Sequence, residues 1–174
     1  MVIAGPDVIE NERHVLRHAE RIQAMCARVG LPYILKCSYD KANRTSSTSY
    51  RGPGLTKGRA ILARVKRTLG VPVLSDIHCR EEVGRAAEVL DILQVPAFLS
   101  RQTDFIAAVA KAGRPINIKK GQFLAPWDMG HVIEKARATG NSAVLVTERG
   151  TSFGYNNLVS DLRSLQVLAG FGCP

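Results

Sequence analysis

Apolar residues recur along this chain in two alternating rhythms. Short runs of Val, Ile and Leu with a period of two give way to longer stretches in which apolar side chains return every three or four positions. The first pattern predicts strands at Val2 to Gly5, Tyr33 to Ser38, Val71 to Ile77, Leu90 to Val95, Ile116 to Lys120 and Ser142 to Thr147. The second predicts helices. Asn11 to Val29 carries Val15, Ile22, Met25 and Val29 at helical spacing and meets Gly30 and Pro32 as stop signals. Thr56 is placed to cap a helix bearing Ile61, Leu62, Val65 and Leu69 that ends at Gly70. Glu81 to Val89 reads as a short helix, and Thr103 or Asp104 caps the next, with Phe105, Ile106 and Val109 as its buried face. Pro126 to Thr139 is expected to turn Trp127, Val132 and Ile133 inward, and Asn157 to Ala169 to bring Leu158, Leu162, Leu165 and Leu168 together on a last helix.

Six strands, each followed by a helix, call for parallel pairing with right-handed crossovers. Either an open sheet or a closed barrel satisfies that rule. No strand runs directly into G-x-G-x-x-G or a P-loop, which weakens the nucleotide-binding open sheets. The strand tips point the other way. Alternation puts Ile3, Gly5 and Asp7 on one face, then Lys36 and Ser38, then Leu74, Asp76 and His78, Ile92 and Gln94, Asn117 and Lys119, and Leu145, Thr147 and Arg149. Every strand thus ends in a polar or charged group, and such groups cost several kcal/mol if buried unpaired, so they are expected to converge on one wet, ligand-filled site. That is the arrangement of a (β/α) barrel, whose chemistry sits at the C-terminal ends of its strands.

A full barrel has eight units in about 250 residues. Six units here take 174 residues. The expectation is therefore α/β: one domain over residues 1–174 of the TIM (β/α)8 barrel family, truncated to about six βα units. It is expected to lack the last two and to be a fragment of a longer reading frame.

Composition narrows the classes further. With 45% apolar residues and no low-complexity run, the chain reads as globular. No apolar run reaches the roughly 20 residues of a membrane span, and the start lacks the charged n-region of a signal peptide, so a cytoplasmic location without membrane contact is expected. Cys26, Cys37, Cys79 and Cys173 show neither a C-x-x-C pair nor a disulfide spacing. The net charge of +9 is compatible with nucleic acid, but the basic residues are scattered and aromatics are only 6%, so no nucleic-acid partner is expected. A phosphorylated substrate fits better.

The charge is densest in one stretch, Lys36 to Ser46, running on to Tyr50-Arg51-Gly52-Pro53-Gly54. It leaves the second strand with Lys36 and Ser38 on the inward face and becomes a polar loop with cations, hydroxyls and a two-glycine turn. A multiply charged anion is its natural ligand. Cys37, on the opposite face, is expected to pack rather than react. His78 is expected to be a satisfied histidine at the rim.

Several motifs, in order, carry a resemblance. Lys41-Ala42-Asn43-Arg44 with Arg51-Gly52-Pro53-Gly54, Gln94-Val95-Pro96-Ala97-Phe98-Leu99, Arg101-Gln102-Thr103-Asp104, Asn117-Ile118-Lys119-Lys120-Gly121-Gln122-Phe123, Glu148-Arg149-Gly150 and Phe153-Gly154-Tyr155-Asn156-Asn157-Leu158 closely resemble the 3-deoxy-D-manno-octulosonate 8-phosphate synthase family. The resemblance covers essentially the whole chain. It implies a (β/α)8 barrel, usually a homotetramer, that condenses phosphoenolpyruvate with D-arabinose 5-phosphate and water, releasing phosphate, in lipopolysaccharide biosynthesis. It further implies that Lys36, Ser38, Lys41, Gln94, Lys119 and Arg149 surround phosphoenolpyruvate. The pentose phosphate falls to Asn43, Arg44, Thr45 and Asp76, with Arg101 supplied by a neighbouring subunit. Lys41, Asp76 and Lys119 are the implied catalytic groups.

One departure concerns a metal. The metal-dependent branch of the family has cysteine where this chain has Asp7, and the metal-independent branch has asparagine. Asp7 is thus a candidate ligand for one divalent ion in a full-length enzyme, or else a hydrogen-bonded carboxylate in a cationic pocket, and the remaining family ligands lie on units this chain does not carry. Two further readings stand: condensation with a four-carbon aldose phosphate, as in the related DAHP synthase type, and an inactive anion-binding fragment. That other family reads Lys-Pro-Arg-Thr where this chain reads Lys-Ala-Asn-Arg.

Overall fold

The computed structural model describes residues 1–174. Six parallel strands in sequence order alternate with helices, so the chain is an α/β protein of the TIM (β/α)8 barrel family carrying six βα units. It divides into two compact units, Met1–Asp76 with Gly84–Ile92, and Ile77–Val83 with Leu93–Pro174.

In the first unit β1 (Val2–Ala4), β2 (Tyr33–Lys36) and β3 (Val73–Asp76) pair in parallel, with Ile3 opposite Ile34 and Lys36 opposite Leu74. The alternation read from the sequence holds. Ile34, Leu74 and Ile92 form a buried cluster on one face with Ile3 against it, and two positions beyond Ile34 and Leu74 stand the charged Lys36 and Asp76. Helix α1 (Glu12–Arg28) begins where the Asn11 side chain accepts from the His14 amide at 2.9 Å. Its buried stripe is Val15, Ala19 and Cys26, while Met25 and Val29, expected inside, are exposed. Helix α2 (Gly54–Leu69) buries Ile61, Leu62 and Val65 and ends at Gly70 in the left-handed region, as expected. It starts earlier than expected, with Pro53 before its first turn. Thr56 is already helical, and its hydroxyl accepts from Arg85 at 2.7 Å instead of capping.

The chain passes between the units within α3 (Arg80–Ala87) and β4 (Ile92–Val95). In the second unit β4, β5 (Ile116–Lys119) and β6 (Val144–Thr147) pair in parallel, with Gln94 opposite Asn117 and Lys119 opposite Thr147. Helix α4 (Thr103–Ala110) buries Phe105, Ile106 and Val109, but Thr103 and Asp104 lie inside it, after Gln102, and neither caps it. The next segment opens with a 3-10 turn at Pro126–Asp128 before α5 (Met129–Arg137). That irregular start turns Trp127 outward to 66% exposure, against expectation, while Val132 and Ile133 are buried as expected.

The largest difference is at Asn157. A hairpin of β7 (Thr151–Phe153) and β8 (Asn157–Val159) replaces the first half of the expected helix, which is confined to α6 (Arg163–Ala169). Gly154 and Asn156 take positive φ in the three-residue turn, a conformation that ends any helix. Of the four leucines expected to share a helix face, only Leu168 is buried. No helix is long and apolar enough to cross a membrane.

Candidate functional site

The strand tips of the first unit and the loop after β2 bring three charged groups around one hydroxyl. Ser38 follows β2 and is fully buried, held by an isolated bridge to Val8 that also draws Asp7 alongside. Its Oγ accepts from Lys36 Nζ at 2.8 Å and from Lys41 Nζ at 3.1 Å, and donates to Asp76 Oδ2 at 2.5 Å. Asp76, at the end of β3, is 5% exposed. The two ammonium groups lie 3.5 and 4.0 Å from the same Asp76 oxygen. A buried carboxylate would be costly alone, and two cations sharing a hydroxyl with it supply the compensation.

Gly5 makes this approach possible. A Cβ there would sit 2.1 Å from the Lys36 carbonyl oxygen, so any side chain at residue 5 would push β1 off the tip of β2.

Asp7 completes the cluster from the solvent side. Its carboxylate meets Lys41 Nζ at 2.6 Å and Arg44 Nη2 at 3.4 Å, and its side chain is 65% exposed. Partial burial works to raise its carboxyl, but the Lys41 hydrogen bond and the charges of Lys41, Lys36 and Arg44 outweigh it and hold the group below its ordinary range. Of the two readings of Asp7, the hydrogen-bonded carboxylate matches this geometry. No three His, Cys, Asp or Glu side chains stand together in this chain, and Asp7, the one candidate ligand, is engaged by two cations.

The loop from Asp40 to Gly54 is closed at its base. Lys41 N donates to Arg51 O at 2.7 Å, Gly54 N to Tyr39 O at 3.0 Å, and the Arg51 guanidinium forks onto both Asp40 oxygens at 2.9 and 2.6 Å. Beyond that seal Asn43, Arg44 and Thr45 are exposed, with Arg44 also reaching Tyr50 O at 3.4 Å. Cys37 points away from the cluster as expected. Burial pushes its thiol up to about 12, so it is neither thiolate nor nucleophile at neutral pH.

The strand tips of the second unit form a hydrogen-bonded row. Thr147 Oγ1 donates to Asn117 Oδ1 at 2.8 Å, and Asn117 Nδ2 donates to Gln94 Oε1 at 2.8 Å. Gln94 and Asn117 are both buried, so this row fixes the Gln94 amide. Lys119 is half-buried at the end of β5, and Arg149 is exposed after β6. Arg101, also exposed, stands just before α4. His78 is largely covered, with Nδ1 3.6 Å from Glu82 Oε2. It lines a separate cleft of about 420 Å³ with Cys79, Gln102, Asp104 and Phe105.

Two groups with a part here were given no role from sequence. Asn117, read only as one of the inward strand-tip groups, orients Gln94. Lys120, next to Lys119 but on the opposite face, is completely buried. Nothing in the local pattern distinguishes it from a solvated lysine.

Comparison with known proteins gives a consistent result. Residues 1–172 match the family described as the DAHP synthetase I family. Three relatives named 2-dehydro-3-deoxyphosphooctonate aldolase are similar over nearly the whole chain. The protein from Acidithiobacillus ferrooxidans is 62% identical over 173 residues, 99% of this chain and 62% of that relative. Those from Geotalea daltonii and Trichlorobacter lovleyi are 63% and 59% identical over 174 residues, 100% of this chain and 64% of each relative. The chain thus spans 62% to 64% of the length of these relatives.

Proposed function

Because this chain belongs to the DAHP synthetase I family, we propose that it serves the condensation of phosphoenolpyruvate, D-arabinose 5-phosphate and water to 3-deoxy-D-manno-octulosonate 8-phosphate and inorganic phosphate. This is a transferase reaction of lipopolysaccharide biosynthesis, and the reading follows the name its relatives bear. The observation that carries it is the pair of ammonium groups, Lys36 and Lys41, gathered on the buried Ser38 hydroxyl beside Asp76.

In this reading Lys36, Ser38, Lys41, Gln94, Lys119 and Arg149 serve phosphoenolpyruvate, and Asn43, Arg44, Thr45 and Asp76 serve the pentose phosphate, with Arg101 supplied by a neighbouring copy. Phosphoenolpyruvate carries a carboxylate and a phosphate close together, so lysines serve it as point charges and Arg149 as a bidentate phosphate ligand. Water adds to C2, C3 bonds to the sugar aldehyde carbon, and the aldehyde oxygen takes a proton. The C2–O bond to phosphate then breaks and leaves a ketone. Charge moves through every step, and Lys41 and Lys119 stabilise it from fixed positions while Asp76 orients the aldehyde. A divalent ion in a longer protein would reach Asp7 only by drawing its carboxylate from Lys41 and Arg44. The same reading places the protein in the cytoplasm as a homo-oligomer, a tetramer in the family.

The test is phosphate release from phosphoenolpyruvate with arabinose 5-phosphate against erythrose 4-phosphate, with and without added divalent metal. Release with the pentose phosphate alone is the expected result. Release with erythrose 4-phosphate alone would instead support the four-carbon condensation of the DAHP synthase type. No release with either would leave the chain as an anion-binding fragment.

A further inference from the structure

We propose that Lys120 is the positioning residue for Arg149: its buried ammonium gathers the backbone on both sides of Arg149 and so sets where that guanidinium stands. The inference rests on Arg149 being a phosphate ligand, as read above.

Lys120 is 0% exposed, which a lysine tolerates only when its charge is compensated. Its Nζ donates to Gly150 O at 2.7 Å and Leu124 O at 3.1 Å. Gly121 O and Thr151 Oγ1 both lie at 3.3 Å, and Glu148 Oε1 at 3.6 Å. An ammonium has three protons, so the acceptors outnumber the donors and the charge is held within a cage of oxygens. Three of those contacts, to Glu148, Gly150 and Thr151, flank Arg149. Glu148 adds a second tie, accepting from the Gly150 amide at 2.5 Å through Oε1 and from Ser164 at 2.8 Å through Oε2. The remaining contacts, to Gly121 and Leu124, belong to the turn after β5, so the one ammonium joins the segments that follow β5 and β6. Lys120 N also donates to Thr147 O at 2.9 Å, which places the lysine stem beside the end of β6. Lys119, the neighbouring candidate ligand, is fixed on the opposite face by the same register.

Without the cation, the carbonyl oxygens of Gly121, Leu124 and Gly150 face one another across a void and repel, and the segment through Arg149 loses its anchor. A positioning role predicts lost affinity in a variant that still folds cooperatively, whereas a purely structural role predicts lost stability with the affinity of the folded fraction kept. Binding of phosphoenolpyruvate is measured by calorimetry for the wild type, Arg149→Ala and Lys120→Ala, the last with and without propylammonium, with thermal melts as a check on folding. Lys120→Ala is expected to melt cooperatively, to lose affinity at least tenfold, and to recover most of it when propylammonium fills the vacated channel. Wild-type affinity in Lys120→Ala would overturn the proposal, as would a loss that the amine does not restore. Unchanged affinity in Arg149→Ala would instead sink the phosphate reading itself. If Lys120→Ala does not fold, Thr151→Val, which removes one cage oxygen, should still weaken binding two- to threefold. Full affinity in that variant would overturn the proposal.

Discussion

Removal of the Ser38 hydroxyl is the most informative single perturbation of the first unit. Ser38→Ala deletes three hydrogen bonds at 2.5, 2.8 and 3.1 Å, each to a charged partner, in a fully buried position. Hydrogen bonds to charged groups contribute roughly 1.5–3 kcal/mol each, so the upper limit is several kcal/mol. Much of that is recovered. Lys36 and Lys41 already stand 3.5 and 4.0 Å from Asp76 and can close on it directly. The net loss of stability should be about 2 kcal/mol, which for a chain of this size lowers the melting temperature by about 4–8 °C. The same collapse draws both ammonium groups away from a bound anion, so phosphoenolpyruvate affinity should fall about tenfold, or roughly 1.4 kcal/mol. Far-UV circular dichroism melts and titration calorimetry measure the two losses. Lys41→Met, made alone and in the Ser38→Ala background, tests the coupling, and the two changes should deviate from additivity by about 1 kcal/mol. A melting temperature within a degree of wild type, or strict additivity, would refute the shared-hydroxyl account.

Other consequences are separable from that one. The Asp7 carboxyl is held low in the folded chain, so its contribution to stability is present above the ordinary carboxylate pKa of about 3.9 and is lost as pH falls through the folded value. Because its side chain is 65% exposed the effect stays below about 1 kcal/mol, and the melting difference between wild type and Asp7→Asn should be constant from neutrality to mildly acid pH and shrink in strong acid. A difference that grows on acidification would contradict the ion pairs. Leu74→Ala opens a cavity in the Ile34, Leu74 and Ile92 cluster and should cost about 3 kcal/mol by denaturant unfolding, with a loss under 1 kcal/mol counting against that core. With a disulfide reagent at pH 8, exposed Cys79 should label in the native chain and Cys37 only after denaturation. Asn43→Ala should impair pentose phosphate use more than phosphoenolpyruvate binding. Equal losses, read by steady-state kinetics and calorimetry, would point to a folding defect.

Period-two alternation was enough to place Lys36, Ser38 and Asp76 together, because strand geometry leaves side chains only two directions. It was also enough to align Gln94, Asn117 and Thr147. Helix caps were less legible. Thr56 and Thr103 have the right chemistry for capping, yet Thr56 lies in the first turn of its helix and Thr103 is the first helical residue of its own, and the Thr56 hydroxyl is taken by Arg85, 29 residues away. The Asn157 hairpin defeated a leucine spacing that suits a helix equally well, since the deciding terms are the backbone angles at Gly154 and Asn156. Met25 and Val29 lie beside, not on, the stripe that Val15, Ala19 and Cys26 define, and apolar identity alone cannot separate the two. Lys120 was invisible for a different reason. Its partners are chiefly backbone carbonyls, and carbonyls leave no trace in residue identity.

The sealed base of the Asp40 to Gly54 loop bears on how such a chain can change. At its base the loop is tied by the Lys41–Arg51, Tyr39–Gly54 and Asp40–Arg51 contacts, and further out by Arg44 on Asp7 and the Tyr50 hydroxyl on the Ile9 carbonyl. Residues that make none of these ties, such as those from Thr45 to Ser49, can be lengthened or replaced at small thermodynamic cost, since doubling a flexible loop adds only about 0.6 kcal/mol of closure entropy. The segment that would choose among aldose phosphates is therefore a cassette, open to grafting and to evolutionary trial, while the lysine pair behind it stays where the strands have put it.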